Sequence, residues 1–365
     1  MIKVLVVSTV GLSYQGIASV IYNYSSRIDL EKYKLDFVAQ PQIDESVKQR
    51  FMSIGNLVYA TKKRDSVWKY AKDLYSITKN GNYDFVHIHG NSGTMVVETL
   101  ICRICGVKRI AVHCHTTMTN HPVINQFFKV PMMKLASDFL ACSNEAGKWL
   151  FNKKPFIVLN NAIDTDKFSF SNEVRDKIRS ELQIKDDEFV IGHLGHFSES
   201  KNHDFIIDVF ARVRKTLPNA KLMLLGTGKL FDRIKEKTRD YGLSDSVLFI
   251  GTKDNPECYY QAMDLFIFPS KWEGLGLVLI EAQASGLSCI ASSDVPRESN
   301  VSGTVDYLSL ELDLWEKAIL SDLNNKEDRD KISAENIERI KKSGYEISLQ
   351  AKKLEKIYSG EAIFE

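Results

Sequence analysis

The sequence predicts an α/β protein of two successive units, each with a parallel sheet. Three observations lead there: short apolar runs alternate with helix-period segments, the series restarts after residue 160, and 365 residues exceed what one hydrophobic core serves. Residues 2–8 (IKVLVVS) form an apolar run ending in a small residue, which reads as a buried parallel strand. Gly16 opens a helical pattern that places Ile17, Val20, Ile21 and Tyr24 on one face. Strands follow at 34–39, 84–88, 109–113, 138–142 and 156–159, with helices at 66–80, 93–105, 123–136 and 144–152. Such alternation implies right-handed βαβ units.

The second series starts with a strand at 188–194 and a helix near 202–216 that stops before Pro218. Strands are predicted at 220–225, 246–250, 264–268 and 288–292, and helices at 229–241, 256–262 and 276–285. Segment 160–168 (NNAIDTDKF) has neither period and reads as the linker. The last forty residues are charged and helix-prone. The expected domains are 1–164, 165–344, and a helix over 345–365 returning toward the first.

Composition excludes several classes. No run approaches the roughly 18 apolar residues of a membrane span, and the apolar run after Lys3 is too short for a signal peptide. A cytoplasmic protein is expected. Six scattered cysteines argue against a disulfide framework. Cys102-x2-Cys105 lies in an apolar helical pattern with no second pair at zinc-ribbon spacing, and Cys114 on a strand points away from His113 and His115. Asp164-x-Asp166 lies in the linker and reads as turn chemistry. No metal is expected. Residues 1–164 carry 20 Lys and Arg against 12 Asp and Glu, hence +8, whereas the remainder carries 28 against 35, hence −7. The first half therefore either meets an anionic partner or presents a solvated basic face. No nucleic-acid partner is expected.

The chemistry concentrates in residues 269–286, PSKWEGLGLVLIEAQASG. Glu273 lies in a Gly-rich turn past the strand at 264–268, a helix begins near Gly276, and Glu281 falls in its second turn. The carboxyl ends of parallel strands form the ligand crevice of such sheets. A helix N-terminus there offers free amides and a positive dipole to a phosphate. Two carboxylates eight residues apart across the turn can accept from sugar hydroxyls. The plainer alternative is a capping Glu273 and a solvated Glu281. Against it, Glu281 sits among Leu279, Ile280 and Ala282, where an idle carboxylate is costly.

The Glu273-x7-Glu281 segment resembles the hallmark of family 4 retaining glycosyltransferases of GT-B fold, close to the bacterial capsular and exopolysaccharide enzymes. The resemblance extends over nearly the whole chain. It includes Phe85-Val86-His87-Ile88-His89-Gly90, His113-Cys114-His115-Thr116, Ala141-Cys142-Ser143, Asn160-Asn161-Ala162-Ile163-Asp164, Gly192-His193-Leu194-Gly195-His196-Phe197-Ser198 with Lys201-Asn202, and Leu225-Gly226-Thr227-Gly228. It implies two Rossmann-like domains whose parallel sheets face an inter-domain cleft, with the donor on the C-terminal domain and the acceptor on the N-terminal one. Glu281 is similar to the carboxylate that binds the nucleotide ribose. Glu273 would sit near the transferred sugar, with the amides of Gly274, Leu275, Gly276, Leu277 and Val278 contacting the donor. Lys201 resembles the diphosphate-binding lysine, a fitting place for a compact cation opposite a departing diphosphate. His196 stands where the family has arginine. It either takes a proton and pairs with the diphosphate or packs the loop while Lys201 works alone.

In the N-terminal domain Gly16 resembles the glycine whose loop approaches the donor phosphates, the family's Gly-Gly pair being here Gln15-Gly16. His115 resembles the active-site histidine near the transferred sugar. Of His87 and His89, one is expected to face the site, with His87 a buried, satisfied core histidine. Segment 122–135 combines Val123, Ile124, Phe127, Phe128, Val130, Met132 and Met133 with Lys129 and Lys134. It reads as a core helix interrupted at Pro131, or as a face that dips into an anionic membrane. Lys62-Lys63-Arg64 with Lys69 and Lys72 favour anionic lipid or a pyrophosphate acceptor.

The expected function is metal-independent, cofactor-free retaining transfer of a hexose or N-acetylhexosamine. The donor would be a nucleotide-sugar, UDP-linked, and the acceptor a saccharide on polyprenyl diphosphate at the inner face of the plasma membrane. Rival readings are a UDP-sugar 2-epimerase of the same fold, whose additional acid–base carboxylates are not located, and a non-catalytic nucleotide-sugar-binding partner. A dehydrogenase is disfavoured because no Gly-x-Gly-x-x-Gly follows residues 2–8.

Overall fold

The computed structural model describes residues 1–13, 16–119, 122–323 and 328–361. The chain forms two compact units, Met1–Ala162 joined by Ile347–Glu365, and Ile163–Glu346.

Seven strands make the sheet of the first unit: β1 (Ile2–Ser8), β2 (Tyr33–Ala39), β3 (Asn56–Tyr59), β4 (Phe85–Gly90), β5 (Arg109–Cys114), β6 (Asp138–Ala141) and β7 (Ile157–Val158). Their order is β3-β2-β1-β4-β5-β6-β7, every pairing parallel. The continuous apolar runs follow from burial on both faces. Val4 and Val6 pack with Ile21, Phe85, Leu354 and Tyr358 on one side; Leu5 and Val7 pack with Leu74, Ile101 and Met132 on the other. The last helix, Ile347–Ser359, thereby completes the core of the first unit.

The second unit has six strands: β8 (Phe189–Leu194), β9 (Ala220–Leu225), β10 (Val247–Gly251), β11 (Leu265–Phe268), β12 (Ser288–Ser292) and β13 (Val305–Leu308). Their order is β10-β9-β8-β11-β12-β13, again parallel. In each sheet the order reverses once, between β1 and β4 and between β8 and β11. That reversal opens a crevice at the carboxyl ends of the two strands, the usual ligand position in such sheets. The two sheets give the Rossmann-like α/β architecture the sequence predicts.

Several elements depart from expectation. Strands β3 and β13 and the helix Glu45–Met52 are not foreseen, since both strands lie at sheet edges and lack a continuous apolar run. The helix Pro122–Leu135 is not interrupted at Pro131. Pro131 faces solvent while Met132 and Met133 pack in the core, so the ring is turned outward and the last turn is held by burial.

Candidate functional site

The crevice of the second unit gathers the charged residues. Past β8 the loop at 195–197 runs against the loop at 226–228, with Gly195 N donating to Leu225 O at 3.0 Å and Phe197 N to Thr227 O at 2.9 Å. A side chain on Gly226, which has φ +125°, would lie 2.1 Å from the Gly195 carbonyl oxygen. Glycine is required for this approach. The turn leaves His196 exposed.

A 3₁₀ turn, Glu199–Lys201, follows, and Asn202 reverses the chain at φ 57°. Asn202 Nδ2 donates to Pro269 O at 3.2 Å, and Lys271 N donates to Ser200 O at 2.8 Å. These bonds tie the turn after β8 to the turn after β11. Lys201 Nζ consequently lies 2.6 Å from Glu273 Oε1 and 4.6 Å from the centre of the Phe268 ring. Glu273 is therefore an ion-pair partner and not a helix cap.

Gly276, at φ 84°, packs on Phe268 and opens the helix Leu277–Ala284, whose N-terminus has no side-chain cap. Its first amides are thus turned to the crevice without a competing side-chain acceptor. Gly274, Leu275, Gly276, Leu277 and Val278 line this turn and first helical residues. Glu281, in the second turn, accepts from the buried Tyr260 hydroxyl at 2.8 Å on Oε2. Burial raises its carboxyl to about 7, opposed by the Tyr260 hydrogen bond and by Lys201. It is therefore not a solvated surface carboxylate. Tyr260 carried no signal in the sequence, because a tyrosine inside a seven-residue helix reads as core.

The other predicted residues lie in the first unit. Gly16, at φ 61° and ψ −133°, caps the helix Ile17–Ser25, and none of the described residues stands within 4 Å of where its Cβ would be. Gln15 falls outside the described residues. His115 follows β5, its Nε2 2.9 Å from His89 Nδ1, and burial pushes its imidazole down to about 3. The expectation that only one of His87 and His89 faces the site fails. Residues two apart on a strand share a face, and their rings lie 3.9 Å apart. His87 is buried as expected but not satisfied, since its Nε2 has no hydrogen-bond partner among the described residues.

Among the basic residues, Lys63 is committed to Glu98 at 2.9 Å and to Thr94 O at 2.8 Å, with the Tyr70 hydroxyl also donating to the buried Glu98. It does not serve an anionic surface. Val123, Ile124, Phe127, Phe128 and Val130 are all exposed, Phe127 to 73%. Asp164 lies 3.8 Å from Lys167 at the start of the short helix Thr165–Phe168.

Residues 174–339 match the family described as Glycosyl transferases group 1. Among curated proteins, the chain is 28% identical over 326 residues to the putative glycosyltransferase EpsF of Bacillus subtilis, covering 85% of each. It is 25% identical to the UDP-Gal:alpha-D-GlcNAc-diphosphoundecaprenol alpha-1,3-galactosyltransferase of Escherichia coli, over 66% of this chain and 65% of that one. Among solved structures, a glycosyltransferase from Rickettsia africae superposes with TM-score 0.80 at 15% identity, covering 98% of both chains. Anabaena HepE in complex with UDP and glucose superposes with TM-score 0.77 at 16% identity, covering 98% of this chain and all of that one.

Proposed function

We propose that the chain, similar to the group 1 glycosyltransferases over residues 174–339 and to solved glycosyltransferases in fold, transfers a sugar from a UDP-sugar with retention of configuration. The acceptor is a saccharide on a lipid diphosphate, in bacterial surface polysaccharide synthesis. One observation carries this reading: Lys201, Glu273, the uncapped helix at Gly276 and Glu281 converge where the strand order of the second sheet reverses. Lys201 and the helix dipole stabilise charge on the diphosphate as the glycosidic bond breaks, which is the task a metal performs elsewhere. No metal is required for that step.

Glu281 in its ionised form accepts from the ribose hydroxyls. Glu273 lies near the transferred sugar and shares Lys201 with the diphosphate, and His196 adds a second contact to the donor. Gly16 lets its loop approach the donor phosphates. His115, neutral because of its burial, offers the sugar an uncharged hydrogen bond. A UDP donor is supported by the UDP-Gal-dependent E. coli relative and by Anabaena HepE, whose structure is a complex with UDP and glucose, and a diphosphate-linked lipid acceptor by the former.

The exposed apolar face at Val123, Ile124, Phe127, Phe128 and Val130 supports peripheral association with an anionic membrane. The +8 charge of residues 1–164 adds the electrostatic part.

Turnover against a panel of UDP-, GDP- and ADP-sugars tests the proposal. Acceptor-dependent release of UDP is expected. Lys201→Ala should lower kcat by about 10²–10³-fold, as loss of one preorganised oxyanion donor does. Tight binding of UDP-sugars without release of UDP to any acceptor would identify a non-catalytic binding subunit instead.

A further inference from the structure

Four imidazoles cover one face of the sheet in the first unit. His87 and His89 come from β4 and His113 and His115 from the end of β5, with His89 and His113 directly opposite in register. His87, His89 and His113 are all buried, and each offers a ring nitrogen within 4.8 Å of those of the other two. A buried imidazole normally finds a partner for each ring nitrogen. Here, among the described residues, His87 Nε2 and both nitrogens of His113 have none.

The ring orientations are set from outside the cluster. His87 Nδ1 lies 2.8 Å from the Tyr358 hydroxyl, contributed by the C-terminal helix, and His89 Nδ1 lies 2.9 Å from His115 Nε2. These bonds occupy the Nδ1 atoms and leave the two Nε2 atoms as the remaining ring donors, that of His87 buried without a partner among the described residues. A second partner on the far nitrogen is the arrangement that orients metal-ligating histidines. The three rings border a cavity of about 10 Å³, lined also by Tyr24, Ser25 and Tyr358 and by the apolar side chains of Val6, Ile21, Leu159 and Leu354. That is room for one water-sized sphere.

We propose that His87, His89 and His113 form a binding site for one late first-row transition-metal ion of the zinc type. Two ligands of a tetrahedral zinc at about 2.0–2.1 Å sit about 3.3 Å apart, so the nitrogens, within 4.8 Å of one another here, draw together as the ion binds. The donors are all nitrogen, and no carboxylate lines the cavity among the described residues. Zinc or copper therefore fits, whereas magnesium and calcium, which take oxygen, do not. Burial keeps the three rings neutral, the form that coordinates. The ion would pin β4 to β5 and, through Tyr358, to the C-terminal helix. The three ligands belong to the first unit and Lys201 and the helix at Gly276 to the second, and metal stoichiometry and affinity are read without the diphosphate, so failure of this site and failure of the proposed function are distinguishable.

The full chain is stripped with EDTA, desalted and equilibrated with Zn²⁺. Bound metal is measured by mass spectrometry, and Co²⁺ is substituted to record ligand-field bands. One ion per chain, four-coordinate Co²⁺ bands and a higher Tm with metal are expected. Tyr358→Phe should weaken Zn²⁺ binding about 10–100-fold, as loss of an outer partner does, and His113→Gln should weaken it further. Should His113→Gln fail to fold, the Tyr358→Phe series still decides. A folded wild-type chain that holds no stoichiometric Zn²⁺ would overturn the site. So would Zn²⁺ binding unchanged in both variants, because the ion would then sit elsewhere. Retention of only a buried water in the cavity would do the same.

Discussion

Glu281 joins two demands that pull against each other. Burial raises the carboxyl to about 7 against the pull of the Tyr260 hydrogen bond, yet the ribose contact proposed for it needs an ionised acceptor. UDP affinity should therefore rise between about pH 6 and 8 as Glu281 ionises, once the nucleotide's own titration is removed. Glu281→Gln should abolish that rise and weaken UDP by about 1.5–3 kcal/mol at the upper pH, read by calorimetry. Stability carries the opposite sign. The folded value lies above the ordinary 4.5, so the folded state holds the extra proton. This contribution is full below about 4.5 and is lost as pH rises through about 7. His196 is the exposed side chain of the same crevice. His196→Arg would place a fixed charged fork there and should tighten UDP binding. UDP affinity unchanged in the variant, read by calorimetry, would make His196 loop packing only.

Loops carry the site, and their shape depends on a few backbone positions. Gly226 passes so close to the Gly195 carbonyl that Gly226→Ala should cost about 1–3 kcal/mol in urea unfolding, and with it the placement of His196. A variant as stable as wild type would mean the two loops separate without penalty. At this scale much was legible. The restart of the strand series, the helix opening at Gly276 and the strand ends before Gly195 and Pro269 all follow from apolar runs bounded by glycine or proline. Edge strands β3 and β13 were not, because half-exposed strands have no distinctive composition. Side-chain pairings were also hidden. Nothing in sequence order joins Lys63 to Glu98 or Tyr260 to Glu281, and both pairs settle which charges are free. The shared face of His87 and His89 was available from strand periodicity alone.

Across the whole molecule, the chain divides its labour between two parallel sheets, each with one reversal of strand order. The second unit holds the charged crevice, and the first holds the histidine face, Gly16 and the exposed apolar helix face. The C-terminal helix returns to the first unit, where Tyr358 meets both Phe85 and His87. The central claim is that protein charge alone manages the diphosphate. The most direct measurement is acceptor-dependent UDP release after exhaustive EDTA treatment, followed by add-back of separate metals. Transfer should persist with no gain from Mg²⁺ or Mn²⁺, because Lys201 and the helix N-terminus already supply the charge. Activity lost on chelation and restored by Mg²⁺ or Mn²⁺ would contradict the account.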